Sequence, residues 1–205
     1  MKLAIFGGTG ATGRQLVDQA LQAGHDVTVF VRTANAIPIE NPRLRTMVGN
    51  FEQAVAIQSV VRDQDAVISV LGVRKHGSST ICTDGVQSIL QAMEATGARR
   101  LIALSAYGAS ETRDASLFIK FVRTVIADKM RDKDNMEALV RASGIEWTLV
   151  RPPALTNGKR TGRYRSGIDL KVGITGRISR ADLADFILQE IMQKAFTREA
   201  PIISA

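Results

Sequence analysis

The sequence of 205 residues has little that could form a covalent or metal-held framework. It contains one cysteine, Cys82, and two histidines, His25 and His76. A single cysteine excludes an intramolecular disulfide, and no cysteine and histidine cluster has the spacing of metal ligands. We therefore expect no metal site, and we interpret Cys82, which lacks a local partner for redox or nucleophilic chemistry, as an inert thiol.

Long hydrophobic runs are also missing, although 45% of the residues are hydrophobic. No stretch approaches the roughly 20 apolar residues that a membrane-spanning helix requires. The apolar stretch at the N-terminus is too short for a secretory signal, and it leads directly into a glycine loop. The composition therefore predicts a soluble, cytoplasmic protein whose residues 1–205 form a single domain.

Acidic residues are outnumbered, with 20 Asp and Glu against 27 Lys and Arg, a formal net charge of +7. Much of the excess lies in one basic segment, which contains Lys159, Arg160, Arg163, Arg165, Lys171, Arg177 and Arg180. Such a segment is typical of a solvated surface, or of a surface that helps to bind an anionic cofactor or substrate, and less often of a nucleic-acid site. We expect a protein that acts on a small molecule, without nucleic acid or membrane as partner.

One catalytic pair is absent. Many dehydrogenases that act on alcohols and ketones use Tyr-x-x-x-Lys, in which the lysine lowers the pKa of the tyrosine so that it can exchange a proton. Here Tyr107 is followed four residues later by Glu111, and Tyr164 by Ile168. The absence argues against alcohol and ketone chemistry and weakens an assignment as an isomerase or epimerase of nucleotide sugars.

The chain does contain a regular alternation of short β-rich runs and amphipathic helical stretches. This order predicts an α/β fold, a single Rossmann-type, doubly wound parallel sheet with helices on both faces. The predicted strands are Lys2–Phe6, Asp26–Val31, Arg45–Val48, Ala66–Leu71, Arg100–Ser105 and Glu146–Val150. One helix is predicted between the first two strands. The other predicted helices cover Phe51–Arg62, Asp84–Thr96, one long stretch from about Ser116 to Ala142, and Arg180–Met192 behind a Ser179 cap.

Residues 152–175 are rich in Gly, Thr, Asn and Arg and show little helical periodicity. We interpret this segment as a loop or small hairpin. Because it leaves the carboxyl end of the sixth strand, where open α/β sheets bind ligands, it is a candidate wall of the substrate site.

A glycine loop follows the first strand. Gly7, Gly10 and Gly13 form G-x-x-G-x-x-G between that strand and the first helix, with Thr9, Ala11 and Thr12 among them. Backbone amides at a helix N-terminus can face a pyrophosphate, and glycine allows close approach. The complete βαβ context favours a dinucleotide site over a tight turn without ligand.

The end of the second strand selects the dinucleotide. Arg32 and Thr33 stand where an acidic residue would bind a ribose 2′-hydroxyl, which favours NADP(H), although Arg32 could also be a solvated residue. By topology, Asn50 and Phe51 could edge the adenine, or be a helix cap and a core ring. The strand-end residues Leu71, Gly72 and Arg74 could also approach the cofactor.

Taken together, the short motifs at the strand ends resemble those of a known family. With Val31-Arg32, Leu71-Gly72-Val73-Arg74, Ser105-Ala106-Tyr107 and Arg151-Pro152-Pro153 in order after the glycine loop, nearly the whole chain resembles the atypical short-chain dehydrogenase/reductases of the NAD(P)-binding, NmrA-like group. Within that group it is most similar to the biliverdin-IXβ reductase family of NADPH-dependent flavin reductases. The resemblance implies a Rossmann monomer that passes hydride from NADPH to flavins and some linear tetrapyrroles.

The resemblance also implies residue roles. Thr9, Gly10, Thr12 and Gly13 would hold the pyrophosphate, Arg32 the 2′-phosphate, and Ser105, Pro152 and Pro153 the nicotinamide side. Four positions depart from the family pattern. A second arginine of the family is Ala36 here, which would weaken the grip on the 2′-phosphate, an acidic residue is Asn50, and two histidines near the substrate align with Lys133 and Ala154.

A flavin acceptor fits the missing proton donor, because its ring takes hydride and draws protons from water while the protein supplies alignment. We expect Ser105 near the nicotinamide and Arg74, Tyr107 and Lys133 on the acceptor wall. Each residue could instead have a structural or surface role. The alternative function is a redox-sensing regulator that binds NADP(H) without turnover, which would also suit the missing catalytic pair and the basic segment.

Overall fold

The computed structural model describes residues 1–73 and 79–205. Two residues considered above, Arg74 and His76, lie outside these ranges, so the predictions about them remain predictions. Within the described ranges, no helix is both long enough and apolar enough to cross a membrane.

The centre of the protein is a six-stranded parallel sheet, with strand order β3-β2-β1-β4-β5-β6. Its strands are β1 Lys2–Phe6, β2 Asp26–Val31, β3 Leu44–Val48, β4 Ala66–Ser69, β5 Arg100–Leu104 and β6 Glu146–Val150. The order reverses between β1 and β4, and this switch point is where doubly wound sheets bind nucleotides. The predicted Rossmann-type fold is therefore confirmed.

Helices cover both faces of this sheet. They are α1 Ala11–Gln22, α2 Ala54–Val61, α3 Ile81–Thr96, α4 Leu117–Val125, α5 Ala127–Ala142 and α6 Arg180–Gln193. Apolar residues of α1 and α6 form one buried cluster with the sheet, and those of α2, α3 and α5 form a second cluster. Because β1, β4 and β5 lie between the two clusters, their sequences are apolar without alternation.

The prediction of one long helix from Ser116 to Ala142 is wrong. The chain forms α4 and α5 instead, separated at Ile126, whose φ of −120° and ψ of 40° interrupt the helix. Neither proline nor glycine marks this break, so the local sequence carries no signal for it. The other helices differ from the prediction by a few residues at their starts, and the Ser179 cap of α6 is confirmed because its side chain accepts a hydrogen bond from the Asp182 backbone N–H.

Residues 152–175 do not form a hairpin, because their two short strands pair with partners outside the segment. β7, Ala154–Thr156, runs parallel to β9, Arg177–Ser179, and β8, Arg165–Gly167, runs antiparallel to β10, Ile202–Ser204. The residues before and within β10 also run alongside β6, through bridges from Thr148 to Glu199 and from Arg151 to Ile202. The segment is thus held against the carboxyl side of β6.

Asp182 fixes the middle of this segment. Its carboxylate accepts hydrogen bonds from the backbone N–H groups of Thr161 at 2.6 Å and Gly162 at 2.9 Å, and from the Ser179 hydroxyl at 2.9 Å. Burial alone would raise the pKa of Asp182, but these hydrogen bonds outweigh it and hold the pKa below its ordinary value.

Asp182→Ala should therefore lower the free energy of unfolding by about 2 kcal/mol, because several donors lose their acceptor. Since the folded pKa lies below the unfolded value, this stabilisation is complete above about pH 5 and is lost as the pH falls through the folded pKa. Thermal melting from pH 7 to pH 3 tests this: Asp182→Asn should lose less stability than wild type over that range. Equal losses in both proteins would contradict the assignment.

Candidate functional site

The glycine loop between β1 and α1 depends on two glycines for its own backbone packing. Gly7 has a φ of +88°, and a Cβ there would lie 2.8 Å from the carbonyl oxygen of Val70. A Cβ on Gly13 would overlap the carbonyl oxygen of Gly7. These positions exclude side chains because of the fold itself, so they carry no information about a ligand.

Two other glycines leave space that the protein does not fill. Gly10 has ordinary angles, with φ −74° and ψ 167°, and among the described residues a Cβ there would meet only the Gly7 carbonyl oxygen, at 3.3 Å. A Cβ on Gly72 would meet no atom within 4 Å among the described residues. Both glycines line the same cavity, which is the arrangement expected where a ligand approaches the backbone closely.

This cavity, the glycine-loop cavity, has a volume of about 200 Å³. It lies over the carboxyl ends of β1, β2 and β4 and over the start of α1. Within the described part of the chain, no side chain caps the N-terminus of α1, so its backbone N–H groups remain available to an anion. The residues that line the cavity are Gly7, Thr9, Gly10, Phe30, Val31, Arg32, Asn50, Phe51, Val70, Leu71, Gly72 and Ile81.

Asn50 and Phe51 combine the two roles considered for them. The side chain of Asn50 accepts a hydrogen bond from the Glu52 backbone N–H at 3.0 Å, which shapes the turn before α2. The Phe51 ring packs 5.7 Å from the Phe30 ring and 6.1 Å from the Phe6 ring, measured between centroids. Since Asn50 and Phe51 also line the glycine-loop cavity, their local structural roles place a polar group and an aromatic ring at its edge.

A second cavity of about 320 Å³ adjoins the first at Arg32. We call it the arginine cavity, because Arg32 from the end of β2 and Arg14 from the first turn of α1 both line it. Thr9 and Arg32 line both cavities, so the two share a wall there. Thr33 and Ala36 complete the lining.

Lys133 joins the carboxyl ends of β4 and β5. Its ammonium group donates hydrogen bonds to the carbonyl oxygens of Leu71 at 3.1 Å and Leu104 at 2.5 Å. Leu71 lines the glycine-loop cavity, and Leu104 immediately precedes Ser105. A ligand extending from that cavity across the sheet would therefore pass from Leu71 towards Ser105.

Ser105 begins a buried polar network. Its hydroxyl donates a hydrogen bond to Glu137 Oε1 at 2.5 Å. The Glu137 side chain is completely buried and also pairs with Arg151, whose Nε donates to Glu137 Oε1 at 2.9 Å. A hydroxyl that donates to a carboxylate keeps its lone pairs, so Ser105 presents a hydrogen-bond acceptor to any neighbouring ligand.

Two further charged residues extend this network to the surface. Glu111 pairs with Arg151 and accepts a hydrogen bond from Arg141 at 2.7 Å. Burial opposes the charged forms, yet the hydrogen bond from Arg151 outweighs it and lowers the pKa of Glu111. For Arg151, hydrogen bonds to Glu137 and Glu111 likewise outweigh burial and raise the pKa. Both shifts favour the charged forms of Glu111 and Arg151.

A third cavity lies beyond this network, and we call it the tyrosine cavity. It has a volume of about 710 Å³, within the range of ligand pockets. Tyr107, Glu111, Arg141 and Arg151 form one side of it. The segment from Ile168 to Val172 forms another, so part of the predicted substrate wall does line a cavity beside Tyr107.

Comparison with known proteins decides the family. Residues 7–194 match a protein-family model whose members are described as NAD(P)H-binding. The chain belongs to this NAD(P)H-binding family. The match begins just after β1 and covers the glycine loop, the other five strands of the central sheet, and α6.

Relatives of this NAD(P)H-binding protein include both uncharacterised proteins and reductases. The UPF0659 protein YMR090W of Saccharomyces cerevisiae is 27% identical over 213 residues, covering 94% of this chain and 87% of that protein. The (4-alkanoyl-5-oxo-2,5-dihydrofuran-3-yl)methyl phosphate reductase of Streptomyces griseus is 29% identical over 150 residues, covering 73% of this chain and 46% of that enzyme. The relatives of the chain thus include enzymes named as reductases.

Solved structures agree on the fold. The structure of ChuY, an anaerobilin reductase from Escherichia coli O157:H7, superimposes with a TM-score of 0.86 at 18% identity, covering 99% of this chain and 96% of that one. Together with the family match, this confirms the resemblance at the level of an NAD(P)H-binding protein with this fold.

The glycine-loop cavity and the arginine cavity bring together many of the residues named from the sequence. The two cavities at the glycine loop collect Gly7, Thr9, Gly10, Arg32, Thr33, Asn50, Phe51, Leu71 and Gly72. Ala11, Thr12 and Gly13 lie in the first turn of α1 and do not line either cavity. Ser105, Pro152 and Pro153 lie further along the carboxyl edge, and their contacts with a nicotinamide remain predictions, as do the acceptor roles of Tyr107 and Lys133.

Sequence reasoning missed several residues of the site. Phe30, Val70 and Ile81 line the glycine-loop cavity. The sequence predicts only strand positions for Phe30 and Val70 and no role for Ile81. Arg14 had the pattern of an exposed helix residue. Glu137 is hard to recognise in the sequence because it lies among the apolar positions of α5. The pattern that could reveal it is the four-residue spacing of Lys133, Glu137 and Arg141, which places three charges on one face of a helix.

Proposed function

We propose that this protein is an NADPH-dependent reductase that transfers hydride to flavins such as FMN and riboflavin, with linear tetrapyrroles such as biliverdin as a second class of acceptor. The observation that carries the proposal is the tyrosine cavity beside the carboxyl ends of β5 and β6. Its volume of about 710 Å³ suits a multi-ring acceptor. The names of similar proteins support the reaction class. One relative is the (4-alkanoyl-5-oxo-2,5-dihydrofuran-3-yl)methyl phosphate reductase, and one structural neighbour is an anaerobilin reductase.

The cavities and the polar network support one orientation of the cofactor. The adenosine half would occupy the glycine-loop cavity, with the pyrophosphate over Gly10 and the N-terminus of α1. The nicotinamide half would then run past Leu71 and Leu104 to Ser105. In this position the acceptor oxygen of Ser105 would face the carboxamide N–H₂ group, a hydrogen-bond donor.

The proposed acceptor compensates for the missing Tyr-x-x-x-Lys pair. Gly10 and the N-terminus of α1 would hold NADPH, which would supply one hydride to the oxidised acceptor, while the proton that completes the reduction would come from water. The protein residues bind and align the reactants, which by itself accounts for large rate effects. Tyr107 contributes an aromatic side chain at the entrance of the tyrosine cavity, where a planar ring can pack against it.

The test is oxidation of NADPH followed at 340 nm with FMN, riboflavin or biliverdin as acceptor, and with NADH as the matched cofactor control. We expect saturable turnover that prefers NADPH. Tyr107→Ala should raise the KM for the acceptor about tenfold, roughly the effect of losing an aromatic contact, and leave the KM for NADPH unchanged.

Two outcomes would contradict the proposal. Absence of turnover together with tight NADPH binding would support the alternative, a redox-sensing regulator that binds NADP(H) without reducing an acceptor. Turnover with simple ketones but not with flavins or tetrapyrroles would show that a proton donor operates despite the missing pair, and would overturn the acceptor class.

A further inference from the structure

The arginine cavity contains two positive charges and no negative one. Arg14 and Arg32 line it with Thr9, Thr33 and Ala36, so its wall holds two guanidinium groups and no carboxylate. Within residues 1–73 and 79–205, neither arginine forms an ion pair. Two like charges around one small cavity repel each other unless an anion lies between them.

Arg14 has a position that is unfavourable for a cation. It lies in the first turn of α1, where the helix dipole is positive and where acidic residues are preferred. Asp18, one turn further along, could pair with Arg14 but instead accepts a hydrogen bond from Gln22 at 2.9 Å. The guanidinium of Arg14 is held at the loop, where its Nε donates to the carbonyl oxygen of Thr9 at 3.3 Å.

The arginine cavity branches from the glycine-loop cavity at one point. Thr9 and Arg32 line both, so a group in the arginine cavity would be attached to whatever occupies the first cavity beside Arg32. On an adenine dinucleotide bound to the glycine loop, the ribose near the end of β2 is the adenosine ribose. Its 2′-position is therefore directed towards the arginine cavity.

We infer that Arg14 is a specificity-determining residue for NADP(H), and that it binds the 2′-phosphate together with Arg32, which lines the same cavity. This inference rests on the proposed use of NADPH and names a residue for it. Arg14 then supplies a second positive charge for the 2′-phosphate, in place of the second arginine of the family, whose position is occupied by Ala36 here. A phosphate monoester, with a charge near −2 at pH 7, would neutralise both guanidinium groups.

The experiment compares two small nucleotides that differ only at the site in question. Binding of 2′,5′-ADP and of 5′-AMP is measured by isothermal titration calorimetry, which requires no turnover. We expect wild type to bind 2′,5′-ADP more tightly. Arg14→Ala should weaken 2′,5′-ADP at least tenfold, the size expected for one charge-assisted contact, and leave the Kd of 5′-AMP unchanged.

Further variants separate the phosphate contact from a general loss of charge. Arg14→Lys should retain part of the preference, because the charge remains but the planar fork is lost. Arg32→Ala should also reduce the preference, and Arg14→Ala/Arg32→Ala should lose less than the sum of the two effects, since both residues act on one phosphate. Arg99→Ala is the matched control: Arg99 is exposed just before β5, at the amino edge of the sheet, and should change neither Kd.

The outcomes are distinguishable. If Arg14→Ala weakens both nucleotides equally, or leaves both unchanged, the inference about Arg14 is overturned while the proposed reductase stands. If wild type binds both nucleotides equally, the preference for NADPH and the role of Arg14 both fail, although turnover with NADH and flavin would still identify a reductase. Circular dichroism of each variant checks that the fold is unchanged.

Discussion

Gly10→Val should weaken NADPH binding at least a hundredfold and leave the fold intact. The backbone angles of Gly10 are accessible to any residue, and in the described part of the chain only the Gly7 carbonyl oxygen lies within 4 Å of an added Cβ. The branched side chain would occupy the part of the glycine-loop cavity where a pyrophosphate approaches the N-terminus of α1. Circular dichroism should stay unchanged, and the Tm should fall only slightly, because valine is a weaker N-cap than glycine.

Gly144→Val is the matched control for this substitution. Gly144 follows α5, lies outside the three cavities, and a Cβ there meets no described atom within 4 Å. The Gly144→Val protein should bind NADPH with the affinity of wild type, as measured by fluorescence titration. Gly13→Ala should instead lower both stability and binding, since its Cβ overlaps the backbone of the loop. Unchanged NADPH affinity in Gly10→Val would remove the glycine loop from the cofactor site.

Glu137→Ala should produce the largest loss of stability among the charged residues of the site. The Arg151 side chain is 4% exposed, and removal of Glu137 leaves it with only Glu111 as carboxylate partner. Breaking a buried pair costs about 3 kcal/mol, which for a chain of this length corresponds to roughly 6–12 °C in Tm. Thermal melting followed by circular dichroism measures the difference.

Glu111→Ala provides the comparison, because it removes a carboxylate from the same arginine at the surface. The Glu111 side chain is 60% exposed, and its loss should cost less than about 1 kcal/mol. Replacing both members of the buried pair, as Glu137→Met/Arg151→Met, should recover part of the stability lost in Glu137→Ala. Equal destabilisation by Glu111→Ala and Glu137→Ala would contradict the assignment of the buried pair.

The central sheet and its switch point could be predicted from sequence because they depend on local patterns. Strands buried on both faces are continuous apolar runs, and the glycine loop marks the first crossover. The residues around that loop were predictable for the same reason. Thr9, Arg32 and Gly72 come soon after the carboxyl ends of β1, β2 and β4. The carboxyl ends of parallel strands meet at one edge of the sheet.

The remaining parts depend on contacts between distant residues. Glu137 and Arg151 are joined only once α5 packs against β6. The four-residue spacing of Lys133, Glu137 and Arg141 places charges on one face of α5 but does not show which of them is buried. The parallel pairing of β7 with β9 joins two runs of three residues, too short to show alternation. The break at Ile126 likewise has no proline or glycine, so only packing of α4 and α5 determines it.

The separation of roles among the glycines has an evolutionary consequence. The backbone packing of the loop requires glycine at positions 7 and 13. Gly10 and Gly72 instead leave space in the glycine-loop cavity, which they line. A mutation at either of the latter can remove the ligand without removing the fold. Descendants of such a protein could therefore lose their chemistry in one step and persist as folded scaffolds, still recognisable by Gly7 and Gly13. Within this family, the residue at position 10 or 72 would then distinguish an enzyme from a relative that has kept only its shape.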